Sequence, residues 1–276
     1  MTQFSVERLL DTSSLQIRDV VCAGGCRHKA EEECVTATHL VFPYRGVFVR
    51  HLGRDDAVGE ANQVLFFNGG EAYRISHPVA GGDSCLSFEI AEPLLQELAP
   101  KKHLHGGGAV KFRRQRLRVD ARAQALVAML RHSLKSKAAE TLEAESLALT
   151  LVRRALGEHT SHASSATAGR EKLVDRAKLV LSSDLTRRWS LAEIAAEVGV
   201  SPVYLTQVFQ QVEAMPLYQY QLRLRLAKAL DLLGEYDDLT TLSADLGFSS
   251  HSHFTSTFRR VFGRTPAEFQ RAVQVR

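Results

Sequence analysis

The spacing of apolar and polar positions changes character along this 276-residue chain. Between residues 15 and 90, short runs alternate or are β-branched: LQIRDVVC, HLVFPY, GVFVRHL, QVLFFN, AYRISH and SCLSFEI. Turn residues separate them at GRDD, NGGE and HPVAGGD. A two-residue period bounded by Gly, Asn, Asp and Pro predicts strands, and six short ones predict a small β-barrel or sandwich. A Gly-rich stretch, HLHGGG, then leads into KFRRQRLR. Beyond residue 120 the period lengthens. Leu126, Met129, Leu130 and Leu134 mark one helix, and Leu142, Leu149, Val152 and Leu156 mark a second. Both are expected to pack on the barrel or on another subunit. SHASSATAGR, residues 161–170, is small and polar and is read as an interdomain linker. Everything after it is predicted helical.

The helical part contains a degenerate repeat. LAEIAAEVGVSPVYLTQVFQQV, residues 191–212, is echoed by LTTLSADLGFSSHSHFTSTFRRV, residues 239–261. Leu191, Ile194, Val198, Gly199 and Ser201 return as Leu239, Leu242, Leu246, Gly247 and Ser249, and Leu205, Phe209 and Val212 return as Phe254, Phe258 and Val261. Each copy reads as a short helix, a Gly turn and a second amphipathic helix, which is a helix-turn-helix. Ser190 and Glu193 predict a capping box. Ser201 followed by Pro202 predicts a capped helix start, as does Ser249 or Ser250 in the second copy. Leu222, Leu226, Ala229, Leu230 and Leu233 form one stripe, so a single long helix separates the two copies.

In the first copy the buried stripe leaves Val203, Thr206, Gln207 and Gln210 outward. Gln can bond adenine bidentately in the major groove, and Val or Thr can touch a thymine methyl. In the second copy His251, Ser252, Thr255, Ser256 and Arg259 are outward, and Arg260 and Arg264 follow at positions suited to phosphates. Two such probes predict a reader of double-stranded DNA. Net charge is only +4, so that reading rests on the motif and on local charge placement.

These residues resemble the AraC/XylS family of bacterial transcription regulators over about residues 171–276. GFSSHSHFTSTFRRVFGRTPAEFQ is closest to the family signature, with Gly247, Phe248, Phe254, Phe258, Phe262, Gly263, Pro266 and Phe269 in place, and Arg225, Leu226 and Ala229 fit the spacer pattern. Carried over, the family's base-reading positions fall on Val203, Thr206 and Gln207, and on Ser252 and Ser256 with His251 and Thr255 nearby. Ala214 stands where the family has the Gly corresponding to Gly263, and Pro216-Leu217 replaces a Ser/Thr-Pro step, so a less sharp joint is expected after the first recognition helix. Of the spacer arginines, Arg225 is expected to be structural, with phosphate contact left to Arg223. The first half resembles, less specifically, cupin-like sensor domains, through HLVFPYRGVFVRH and ANQVLFFNGGEAYRISHP.

The resulting expectation is an α+β chain. Residues 1–160 form a cupin-like β-barrel with a helical dimerisation segment, 161–170 a linker, and 171–276 an all-α domain with two helix-turn-helix units joined by a long helix. The resemblance implies a ligand-responsive transcription regulator, more an activator than a repressor. Its partners would be promoter DNA, RNA polymerase, an unidentified small-molecule effector and a second copy in a homodimer. His77, Glu71, Tyr73 and His51 are the effector-pocket candidates. No export signal or apolar membrane-length run is evident, so a cytoplasmic location is expected. No Ser-His-Asp pattern, P-loop or dinucleotide fingerprint stands out, so neither an enzyme nor a cofactor is expected. Two alternatives stay open. Cys22, Cys26, His28 and Cys34 sit close together, and soft ligands at this spacing could sense a metal or oxidation. The more distant alternative is a metal-dependent cupin enzyme fused to a DNA-binding module. The run Lys111, Arg113, Arg114, Arg116 and Arg118 is read as a solvated connection.

Overall fold

The computed structural model describes residues 4–24, 27–107 and 109–274. The first half contains β1 (Phe4–Asp11), β2 (Leu15–Cys22), β3 (Glu33–Cys34), β4 (His39–Gly46), β5 (Phe48–Leu52), β6 (Asp55–Gly59), β7 (Gln63–Phe67), β8 (Ala72–Ser76), β9 (Asp83–Ile90), α1 (Glu92–Leu98), β10 (Arg116–Val119), α2 (Ala121–Lys135), α3 (Thr141–Leu156) and β11 (Ser161–His162). The strands make a seven-stranded sheet, ordered β1-β2-β9-β4-β7-β10-β11, and a four-stranded sheet, ordered β3-β8-β5-β6. The expected barrel is thus laid out as two sheets. Val41, Leu65, Phe67 and Cys85 of the large sheet meet Phe48 and Tyr73 of the small one. The other face of the large sheet packs on α1, α2 and α3 through Leu40, Phe42, Val64, Leu86, Phe88, Leu130, Leu151 and Val152. Burial on both faces explains why β4 and β7 read as continuous apolar runs and not as alternation.

All six expected strands are present, and five more lie among the described residues. β1 is an edge strand whose exposed Phe4 and Val6 give no buried period. β6 begins with two aspartates, and β10 lies inside the basic run. Leu117 and Val119 of β10 are buried, and Arg116–Arg118 pair with Gln63–Leu65. The expected solvated connection is therefore a sheet strand. In α3 the apolar face is Ala144, Ala148, Leu151, Val152, Ala155 and Leu156. Leu142 is 75% exposed, because it lies on the opposite side of the helix from that stripe. Leu134 and Leu126 of α2 lean on the sheet, whereas Ala125, Ala128 and Met129 pack into the second helical unit. One chain thus covers α2 on both faces.

The second half contains α4 (Ala168–Ser183), α5 (Leu191–Glu197), α6 (Pro202–Glu213), α7 (Leu217–Leu232), α8 (Leu239–Asp245), α9 (His251–Phe262) and α10 (Pro266–Gln274). The stretch read as a linker gives β11 to the large sheet and the first turn of α4, so the irregular connection is residues 163–167. α7 serves two cores. Tyr220 and Leu224 close one with α4, α5 and α6, and Leu226, Ala229, Leu230 and Leu233 close another with α8, α9 and α10. At 1.5 Å per residue, the 16 residues of α7 hold the units apart with a rod about 24 Å long. Among the described residues no helix is long and apolar enough to cross a membrane.

Candidate nucleic-acid interface

Each unit is built from the same local chemistry. Ser190 accepts from the Glu193 amide and the Glu193 carboxylate accepts from the Ser190 amide, so α5 begins with the expected capping box. Those bonds, with Arg187 alongside, hold the Glu193 carboxyl down at about 2. α5 ends on Gly199 at φ 72°, a left-handed conformation that suits glycine. Ser201 then accepts from the Tyr204 amide and Pro202 opens α6. In the second unit Gly247 at φ 75° makes the turn and Ser250 accepts from the His253 amide. A side chain on Gly247 would collide with the Thr186 backbone, so close approach as well as conformation requires glycine there.

Burial of Leu205, Val208, Phe209 and Val212 leaves Val203, Thr206, Gln207 and Gln210 exposed, Val203 at 69%. Tyr204, not expected on this face, is exposed too. On α9, Phe254, Thr257 and Phe258 are buried, and Ser252, Ser256, Arg259 and Arg260 are exposed. His251 and Thr255 are half-buried and lie 3.3 Å apart at their polar atoms. His253 is the additional exposed side chain, and it could have been found from its three-residue spacing with Ser256. Neither exposed face carries a carboxylate, since Glu213 at the end of α6 is buried. A shallow depression on α9 is lined by His251, Ser252, Thr255, Ser256, Arg259 and Arg260.

The joint after α6 corrects one expectation. Ala214 adopts φ 50°, ψ 30°, and Gly263 after α9 adopts φ 77°, ψ −2°. Both are left-handed caps, so alanine keeps the sharp joint in spite of its Cβ. Arg225 acts as the structural tie expected of it. Its guanidinium donates to the carbonyls of Leu185, Thr186, Arg187 and Gly247, joining the segment before α5 to the turn of the second unit. Arg223 is also internal. It donates to the Val119 carbonyl, and burial beside Arg118 lowers its pKa to about 10. The phosphate contact expected of Arg223 is therefore not matched by its position.

The strand-rich half grips the helical half through buried charges. Arg116 pairs with Asp175 of α4 at 2.7 Å. Beside it, within the helical half, the fully buried Lys178 pairs with Glu213 at 2.6 Å, and Gln63 of the large sheet reaches the same carboxylate at 3.4 Å. Tyr220 donates to Glu60, and the Gln63 amide lies 3.1 Å from the same hydroxyl. On the far side Arg45 and Arg131 converge on Asp231, each at 2.5 Å. Burial pushes the Glu213 carboxyl up, but Lys178 and Arg116 together hold it below its ordinary value. Arg113, Arg114, Arg116 and Arg118 line a cleft of about 270 Å³ between the halves.

The effector candidates fall in different places. Glu71 and Tyr73 both meet Arg50, a residue the sequence reading passed over. Arg50 is fully buried, bonds Glu71 at 3.3 Å and the Phe66 carbonyl at 2.8 Å, and lies over the Phe67 and Tyr73 rings. His51 contacts Asp56 at 2.6 Å and Ser76 at 2.8 Å. His77 lies on the large-sheet side and contacts Asp83 at 2.5 Å. Of the cysteine cluster, Cys26 lies outside the described residues, and His28 and Cys34 are exposed. Among the described residues Cys22 groups with His77 and Asp83, and neither His28 nor Cys34 joins it.

Residues 194–272 match the helix-turn-helix domain family. The chain is 30% identical over 161 residues to the probable transcriptional regulator LumQ of Photobacterium leiognathi, covering 55% of this chain and 61% of that one. It is 33% identical over 97 residues to the transcriptional activator FapR of Escherichia coli, covering 35% and 37%. A crystal structure of an AraC-type DNA-binding regulator from Chromobacterium violaceum is 31% identical, with a TM-score of 0.37, covering 40% of this chain and all of that one. The matched region spans less than two thirds of LumQ and little over one third of FapR. LumQ is by name a probable transcriptional regulator and FapR a transcriptional activator, and the match of this chain to the helix-turn-helix domain family is confined to residues 194–272.

Proposed function

We propose that the chain is a ligand-responsive, sequence-specific transcription regulator that reads promoter DNA with α6 and α9. The observation that carries this reading is the pair of exposed, carboxylate-free helix faces. Each is presented by the same cap and left-handed glycine turn, and α7 spaces them. Val203, Thr206, Gln207 and Gln210 supply base readout in one groove. His251, Ser252, Thr255 and Ser256 supply shape and weaker readout in the next, and Arg259 and Arg260 neutralise phosphates. Two probes entering successive major grooves on one side of DNA require a spacing of about 34 Å. RNA polymerase is the partner of an activator, and a homodimer would double the half-sites. Effector binding belongs to the strand-rich half. Its support is that Glu71 and Tyr73 converge on the buried Arg50, whose Nε has no hydrogen-bond partner, so an acidic or hydrogen-bonding ligand would find a donor there. His51 and His77 would border such a site only after local rearrangement.

Selection of bound fragments from genomic DNA by the full-length protein, at fixed salt, tests the reading. The expected product is a motif of two short blocks about one helical turn apart. Enrichment of one block, or of none with residues 168–276 freed of the sensor half, would sink the two-probe mechanism.

A further inference from the structure

The connection from His77 to Asp83 carries the chain from β8 of the small sheet to β9 of the large one. His77 and Asp83 tie its two ends together at 2.5 Å. Cys22, the last residue of β2, is the direct antiparallel partner of Asp83. Directly opposed residues project from the same face of a sheet, so the thiol and the carboxylate lie side by side. One donor atom from each of Cys22, His77 and Asp83 lies within 4.8 Å of the other two. Glycines allow this crowding. A side chain on Gly82 would run into the Cys22 carbonyl oxygen, and one on Gly24 into the Gly82 backbone. His77 is 2% exposed, and its Nδ1 is buried without a hydrogen-bond partner.

We propose that Cys22, His77 and Asp83 form a binding site for a thiophilic divalent transition-metal ion, with zinc(II) as the reference ion. One sulfur, one imidazole nitrogen and one carboxylate oxygen suit zinc, whereas calcium and magnesium favour shells of six or more oxygens. Tetrahedral zinc with bonds of about 2.0–2.3 Å sets its donors roughly 3.3–3.8 Å apart, so binding would draw the three in from a grouping within 4.8 Å. Three protein ligands leave the fourth position to water or a small ligand. Binding converts the Cys22 thiol to thiolate and releases its proton to solvent, so affinity rises with pH. The site also has a route outward. Val79, inside the connection, packs with Val47, Val49 and Val58 and with Leu179 of α4 in the helical half. A bound ion pins this segment where it touches the DNA-binding domain. That consequence rests on the regulator function proposed above, whereas the binding itself does not.

The test uses full-length protein, reduced and stripped with chelator, titrated with zinc(II) against a chromophoric competitor and separately with cobalt(II). One saturable equivalent and a thiolate-to-cobalt charge-transfer band are expected. Cys22→Ser should remove the band and weaken zinc at least about tenfold, as should Asp83→Asn, while Cys34→Ser leaves both readings unchanged. Should Asp83→Asn not fold, Cys22→Ser at a half-buried position carries the test alone. No saturable zinc, or zinc held equally well by Cys22→Ser, would overturn the site. DNA binding is measured separately on the same samples. Its loss with metal binding intact would sink the regulator reading and leave the metal site standing.

Discussion

At the scale of single residues, Ala214 shows how position outranks residue type. Its left-handed backbone costs an L-residue roughly 1–2 kcal/mol, partly offset because glycine would lose more chain entropy, about 0.5–1 kcal/mol. Ala214→Gly should therefore stabilise the helical domain by about 0.5–1 kcal/mol, read as a raised midpoint in urea unfolding at unchanged slope. A lowered midpoint would mean that the Cβ is doing something the geometry does not reveal. The two exposed helix faces predict different losses. Gln207→Ala should cost about 1–3 kcal/mol at one base position and relax preference there. Arg259→Ala should weaken binding to all sequences alike and reduce the salt slope by about one unit. Both are read by fluorescence anisotropy on cognate and scrambled duplexes. Equal losses on the two duplexes for Gln207→Ala would remove that side chain from base readout.

At the scale of elements, the units are coupled through α7 and the Arg225 tie. The Leu185, Thr186 and Gly247 carbonyls accept from that one guanidinium, and the Arg187 carbonyl accepts from it as well as from Gln221 and the Trp189 amide. Arg225→Met would leave them short of a donor in a half-buried setting, at a cost of roughly 2–4 kcal/mol. Trp189, the single tryptophan, sits beside this joint with its indole bonded to the Asp184 carbonyl. Its fluorescence should report unfolding at lower denaturant in the variant. An unchanged midpoint would show that the carbonyls find water instead. Much of this level was legible beforehand. The caps at Ser190 and Ser201, the turns at Gly199 and Gly247 and the long spacer all follow from local chemistry, which acts within one turn of helix. β6 and β10 were not legible, because paired aspartates and alternating arginines mark surface in any short-range reading. The aspartates do stay exposed, and what the neighbouring strands and the helical half cover is Ala57–Gly59 of β6 and Leu117 and Val119 of β10.

At the scale of the whole molecule, a charge pair between the halves sits beside a buried pair within one of them. Lys178 and Glu213 meet inside the helical half, and Arg116 reaches Asp175 from the sheet. Removing one member of such a pair strands the other, typically at about 3–5 kcal/mol, whereas replacing both with apolar residues can be neutral. Lys178→Met alone should thus destabilise far more than Lys178→Met with Glu213→Leu, and calorimetry of the three proteins decides it. Equal losses would mean that the pair is not coupled. Glu213 also gives a sign for pH. Its folded pKa is lowered below 4.5, so its contribution is present above that pH and is lost as pH falls through the folded value. A melting temperature that falls on acidification below about 4.5 in wild type, and falls less in Glu213→Gln, is the expected result.

Local pattern was enough for the two helix-turn-helix repeats, most of their outward positions, the six principal strands and the order of the halves. Each of these is written in short-range periodicity and in cap or turn residues whose physics is local. Tertiary structure alone decided what the isolated charges are for. It set Arg50 between Glu71 and two aromatic rings, turned the basic run into a domain contact, and drew Cys22 to His77 and Asp83 across 55 or more residues of chain. The reason is that long-range pairing depends on sheet register and on domain docking. Those are settled by the sum of many buried contacts, and no window of neighbouring residues contains them.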